Sequence, residues 1–122
     1  MNHKELENYI LKKPGAWLDY PFGEDAAVYK VGSKNNAKMF ALIRDGSDPA
    51  QVSLKCTPEL AETLREKYET VMPGYHLNKK LWNTIVCTGQ IETDYIHSLV
   101  DLSYRLVVEG LTKAEQDLLE AL

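Results

Sequence analysis

Residues 51–71, QVSLKCTPELAETLREKYETV, change period in the middle. From Gln51 to Cys56 the side chains alternate, Val52, Leu54 and Cys56 against Ser53 and Lys55, which is the two-residue period of a strand with one covered and one wet face. Thr57-Pro58-Glu59 then supplies an N-cap, a proline at the first helical position, and an acid at the positive end of the helix dipole. Leu60, Leu64, Tyr68 and Val71 follow at helical spacing as the buried face, with Glu62, Arg65, Glu66, Lys67 and Glu69 turned to solvent and Pro73-Gly74 as the stop. An alternating strand passing directly into an amphipathic helix predicts an α+β fold, an antiparallel sheet packed on one side by helices.

Upstream, Ala26 to Val31 and Ala37 to Ile43 are β-prone runs on either side of Gly32-Ser33-Lys34-Asn35-Asn36, a hairpin turn, and Asp45 to Pro49 forms the next turn. The first helix starts with Asn2 as cap and Glu5 three residues on, carries Leu6, Tyr9, Ile10 and Lys13 on one face, and stops at Pro14-Gly15. Ala16 to Asp25 reads as a loop whose Trp17, Tyr20 and Phe22 pack down over the core. Downstream, Leu81 to Thr88 is a strand with Trp82, Thr84 and Val86 on one face and Leu81, Asn83, Ile85 and Cys87 on the other, a pattern suited to an internal position. Thr93 caps a third helix through Ile96, Leu99, Val100, Ser103, Leu106 and Val107 to Gly110, lying across the sheet. Thr112-Lys113-Ala114-Glu115 is a capping box for a fourth, anchored by Leu118, Leu119 and Leu122. The predicted order is helix, strand meander, helix, strand, helix, helix, in a single domain over residues 1–122.

Composition narrows the function classes. The formal net charge is −4, so indiscriminate binding to nucleic acid, which draws its energy from positive charge on phosphates, is disfavoured and any such role rests on a local patch. No apolar run approaches the ~20 residues that cross a bilayer, and no export signal follows the N-terminus, which points to the cytoplasm and away from membranes. Cys56 and Cys87 have no CxxC spacing and read as small core residues. There is no GxSxG elbow, HExxH pair, Walker loop or GxGxxG fingerprint, and His3, His76 and His97 are far apart, so neither an enzyme, a metal site nor a cofactor is expected.

The chemistry concentrates between Met72 and Gly89, MPGYHLNKKLWNTIVCTG. His76, Asn78, Lys79, Lys80 and Asn83 offer donors beside Trp82 and Tyr75, aromatic support for the loop. A second group, Lys30, Lys34 and Lys38, flanks the hairpin turn. Short basic hairpins act as wings on phosphates, and asparagine can read a base edge. A plainer reading buries Trp82 and leaves these lysines solvated. A different class again is a protein- or small-ligand-binding adaptor, with its pocket between this loop and the aromatic loop at Trp17, Tyr20 and Phe22.

Lys13-Pro14-Gly15-Ala16, Pro21-Phe22-Gly23, Lys38 to Leu42, Val52 to Lys55, Thr57 to Leu60, Pro73 to Lys79, Trp82-Asn83-Thr84 and Ser103-Tyr104 together resemble the MmcQ/YjbR family over nearly the full length. The resemblance implies a CyaY-like, frataxin-related fold and non-catalytic DNA binding in a double-wing arrangement. The family pattern usually has a histidine immediately before the tryptophan; Leu81 stands there in this chain.

Overall fold

The computed structural model describes residues 1–74 and 76–122; the aromatic support expected of Tyr75 lies outside the described residues. Helix α1 (His3–Leu11) is followed by strands β1 (Ala16–Asp19), β2 (Ala26–Val31), β3 (Lys38–Arg44) and β4 (Gln51–Lys55). Then come α2 (Pro58–Lys67), β5 (Val71–Pro73), β6 (Trp82–Val86), α3 (Thr93–Glu109) and α4 (Lys113–Glu120). The six strands form one antiparallel sheet in the order β1-β2-β3-β4-β6-β5.

Strand alternation sorts the side chains into two faces. Ala27, Tyr29, Ile43, Val52, Leu54 and Ile85 pack against Leu6 and Ile10 of α1, Ala61 and Leu64 of α2, and Ile96, Leu99, Val100 and Val107 of α3, all in one core. The helices therefore cover one side of the sheet, as the period change at Thr57 predicts. Helix α3 is fastened there by Ser103, which is fully buried: its hydroxyl donates to the Phe40 carbonyl at 2.5 Å and accepts from the Lys55 N–H at 2.8 Å, joining β3 and β4 to one helix. Cys56 and Cys87 are buried free thiols, their pKa values raised by burial.

Five expectations are corrected. The loop predicted from Ala16 begins as β1, because Trp17 and Leu18 pair with Lys30 and Tyr29 at the edge of the sheet. Helix α2 ends at Lys67 rather than Pro73: Tyr68 leaves the helical region (φ −125°, ψ 124°), and Val71–Pro73 gains backbone pairing with β6. The cap of α3 is Glu92, without a side-chain bond, so Thr93 is its first helical residue. Ser53 is buried on the face expected to be wet, hydrogen-bonded to Thr84 at 2.8 Å. In α4, Leu118 and Leu122 are exposed; Leu119 and Glu115 hold the helix instead.

Glu115 takes only half of its expected capping box. Thr112 accepts from the Glu115 N–H at 3.2 Å, but the carboxylate crosses to the β2–β3 turn, where it accepts from the Ser33 N–H (2.7 Å) and hydroxyl (2.6 Å). Those two Ser33 donors, hydroxyl first, hold the Glu115 carboxyl below the usual glutamate value.

Candidate functional site

Register decides which ends of the strands meet. The end of β2, the start of β3, the end of β4 and the start of β6 share one end of the sheet, since Val31 faces Lys38 and Lys55 faces Trp82 in antiparallel pairs. The hairpin turn carrying Lys34, the strand ends Lys38 and Lys55, and the loop carrying Lys79 and Lys80 therefore line one margin. Three strand spacings, about 14 Å, separate β2 from β6 along it. The turns at the opposite end carry Glu24, Asp25, Asp45 and Asp48. Lysines thus gather along this margin of an acidic chain, with the Glu115 carboxylate among them at Ser33.

The lysines on this margin are not equivalent. Lys38 Nζ bonds the Gly110 carbonyl at 3.1 Å, at the negative end of α3, and Lys79 Nζ reaches the Gly74 carbonyl at 3.4 Å. Lys34, Lys55 and Lys80 make no side-chain hydrogen bond or ion pair among the described residues. Lys30, predicted with the hairpin group, is instead held on the sheet. Its ammonium pairs with Asp19 at 2.8 Å, lies 5.5 Å from the Trp17 ring centre, and depresses the Asp19 carboxyl.

The loop from Gly74 to Leu81 is closed by its own backbone. The Gly74 N–H donates to the Trp82 carbonyl at 2.8 Å, and a Cβ at Gly74 would sit 2.8 Å from Trp82 Cβ. Asn78 organises the other side: its side-chain oxygen accepts from the Lys80 N–H at 3.0 Å and its carbonyl from the N–H groups of Leu81 and Trp82. His76 holds a left-handed conformation (φ 59°) at the exposed tip, and Trp82 is half-buried rather than buried. Leu81 is fixed through its carbonyl by the Cys56 N–H at 2.7 Å.

Asn83 shapes the structure rather than presenting an amide at the surface. It is 2% exposed, donates to the Ala61 carbonyl at 3.1 Å and accepts from Arg65 Nε at 2.8 Å. Arg65, read from sequence as a solvated residue of α2, also donates from Nη2 to the Lys79 carbonyl at 2.5 Å and so clamps the basic loop onto the helix. Nothing in its spacing announces this role, because its partners lie 14 and 18 residues away. Lys55 is detectable in the sequence only as the last polar position of an alternating strand.

The uncovered face of the sheet carries a cleft of about 850 Å³. One wall is Phe22 from the loop between β1 and β2, the other is His76 and Leu77 from the basic loop, and the floor includes Leu42, Ser53 and Thr84. Of Trp17, Tyr20 and Phe22, which the adaptor reading put at its pocket, Phe22 lines this cleft and Trp17 and Tyr20 do not. Trp17 is turned instead toward Lys30, its indole N–H bonded to the Gly32 carbonyl at 3.0 Å. Among the described residues no three His, Cys, Asp or Glu side chains converge as metal ligands, and no helix is long and apolar enough to cross a membrane.

Comparison with known proteins agrees with this architecture. The YjbR family model matches residues 11–106. The YjbR protein of Escherichia coli K12 is 36% identical over 119 residues, 98% of either chain, and YbdF of Escherichia coli O157:H7 is 31% identical over 114 residues, covering 93% of this chain and 90% of its own. The crystal structure of Deinococcus radiodurans DR2400 superposes with a TM-score of 0.92 at 36% identity, over 98% of this chain and 88% of that one. Nearly full-length similarity in sequence and in structure leads to one assignment: the chain belongs to the YjbR family.

Proposed function

We propose that this protein binds DNA without catalysing a reaction on it, using the lysine-bearing end of its sheet on the phosphate backbone. The observation that supports this reading is the gathering of Lys34, Lys38, Lys55, Lys79 and Lys80 along one margin of a chain of net charge −4, with acidic turns at the far end. Such a dipolar distribution orients a polyanion toward one end and repels it from the other. The hairpin turn at Lys34 and the loop at Lys79 and Lys80 stand as two projections about three strands apart, which fits the double-wing engagement and the CyaY-like, frataxin-related outline that the sequence resemblance implies. His76 and Asn78 lie at the tip of the second projection, nearest to any base edge.

Anisotropy of labelled duplex DNA, titrated from low to near-physiological salt, tests the proposal. Each lysine that no longer neutralises a phosphate lowers the slope of log K against log salt by roughly 0.9. Replacing Lys79 and Lys80 together by alanine is expected to reduce the slope by up to about two, whereas Lys67→Ala, at the far end of α2, leaves it unchanged. Absence of binding at low salt, or a slope indifferent to the double substitution, overturns it.

A further inference from the structure

The cleft on the uncovered sheet face is a built feature that the DNA reading touches only at His76, on one of its walls. Its volume, about 850 Å³, falls within the range of small-molecule sites. Its lining is mainly apolar, with Phe22, Leu42, Met72 and Leu77 offering flat and aliphatic surface to a ligand body. Phe22 is 66% exposed and Met72 41%, so these side chains are large apolar groups without cover. Walls at both ends bound the cleft, which suits an inserted molecule better than a flat protein partner.

Arg44 sets the charge of that ligand. Strand register puts Arg44 opposite Ala26 on the same face as Leu42, and its guanidinium has no hydrogen bond or ion pair among the described residues. Its main chain is fixed by Ser47, whose hydroxyl donates to the Arg44 carbonyl (2.6 Å) and accepts from the Gln51 N–H (3.0 Å). Asp25 also borders the cleft, but it lies outside β2, with its carbonyl bonded to the Asp45 N–H at 2.8 Å. Register places Arg44 on the sheet face, while Asp25 borders the same end of the cleft from the turn before β2. We infer that the uncovered face binds a small organic acid with a flat apolar body, its body on Leu42, Met72, Leu77 and Phe22 and its acid group on Arg44.

The test uses two fluorescent probes with the same aromatic body, 1-anilinonaphthalene-8-sulfonate and the neutral N-phenyl-1-naphthylamine. The anionic probe is expected to bind at one site and to be displaced by 2-naphthoate but not by 2-naphthylmethanol. Arg44→Ala should weaken the anionic probe about tenfold, the size of a charge-assisted hydrogen bond, and leave the neutral one within about twofold. Met72→Trp, a filling change at an exposed edge position, should weaken both, and circular dichroism of each variant checks that it folds. The inference fails if neither probe binds, if Arg44→Ala affects both alike or neither, if the naphthyl alcohol competes as well as the acid, or if binding survives Met72→Trp.

Discussion

Asn83 and Lys80 lie three residues apart and both carry polar groups suited to a phosphate or a base, yet the fold gives them opposite roles. Asn83 points inward because it shares a face with Ile85, and both ends of its amide are engaged by α2. Asn83→Ala leaves the Ala61 carbonyl and the Arg65 guanidinium short of a partner and is expected to cost roughly 2 kcal/mol in urea unfolding. Lys80→Ala, at an exposed position, should stay within about 0.5 kcal/mol. Ser103→Ala removes a buried hydroxyl that serves two strands at once and should cost about 1–3 kcal/mol by the same measurement. Residue type alone could not separate these cases, since the sequence presents the lysines and asparagines of the loop as one group. Lys30 shows the same limit: the alternation of β2 puts it on the uncovered face, but only the pairing with β1 brings Asp19 and Trp17 to it.

Elements that carry their own start signals were legible. The caps at Asn2, Thr57 and Thr112 accept the expected N–H groups, and the alternation in β4 and β6 gives the faces seen in the sheet. The two strands without a sequence signal of their own are the shortest and lie at the edges. β5 has three residues and continues an apolar spacing that reads as the last turn of α2, while β1 follows directly on Pro14-Gly15 and blends into an aromatic loop. Helix α4 was legible in its cap but not in its anchorage, which depends on a hairpin more than 80 residues earlier in the chain. That anchorage carries a pH prediction. The Glu115 carboxyl is lowered from an ordinary value of 4.5 by its Ser33 donors, so its stabilisation is complete above that value and is lost as pH falls through the lower, folded-state value. Glu115→Gln should be less stable than the parent at neutral pH, and the gap should narrow as acid titrates the parent carboxylate, followed by urea unfolding at a series of pH values. Gly15→Ala strains a left-handed position (φ 72°) and drives a methyl into Leu119 Cδ2, so faster hydrogen exchange in residues 113–120 is expected.

For the molecule as a whole, net charge pointed away from polyanions while the topology gathers cations at one margin. Sequence order could not reveal this, because Lys34, Lys55 and Lys80 are distant along the chain and meet only through antiparallel pairing. The cleft was foreseeable only as two loops rich in unusual side chains; its floor and Arg44 follow from register. The brevity of the outer strands has a further consequence. A margin of three or four residues, closed on one side by Pro73 with no N–H to offer, gives an incoming extended chain almost no ladder to lengthen. Recognition by strand addition is thereby discouraged on both flanks, and a partner must engage side chains, either at the lysine-bearing end or in the cleft on the face away from the helices.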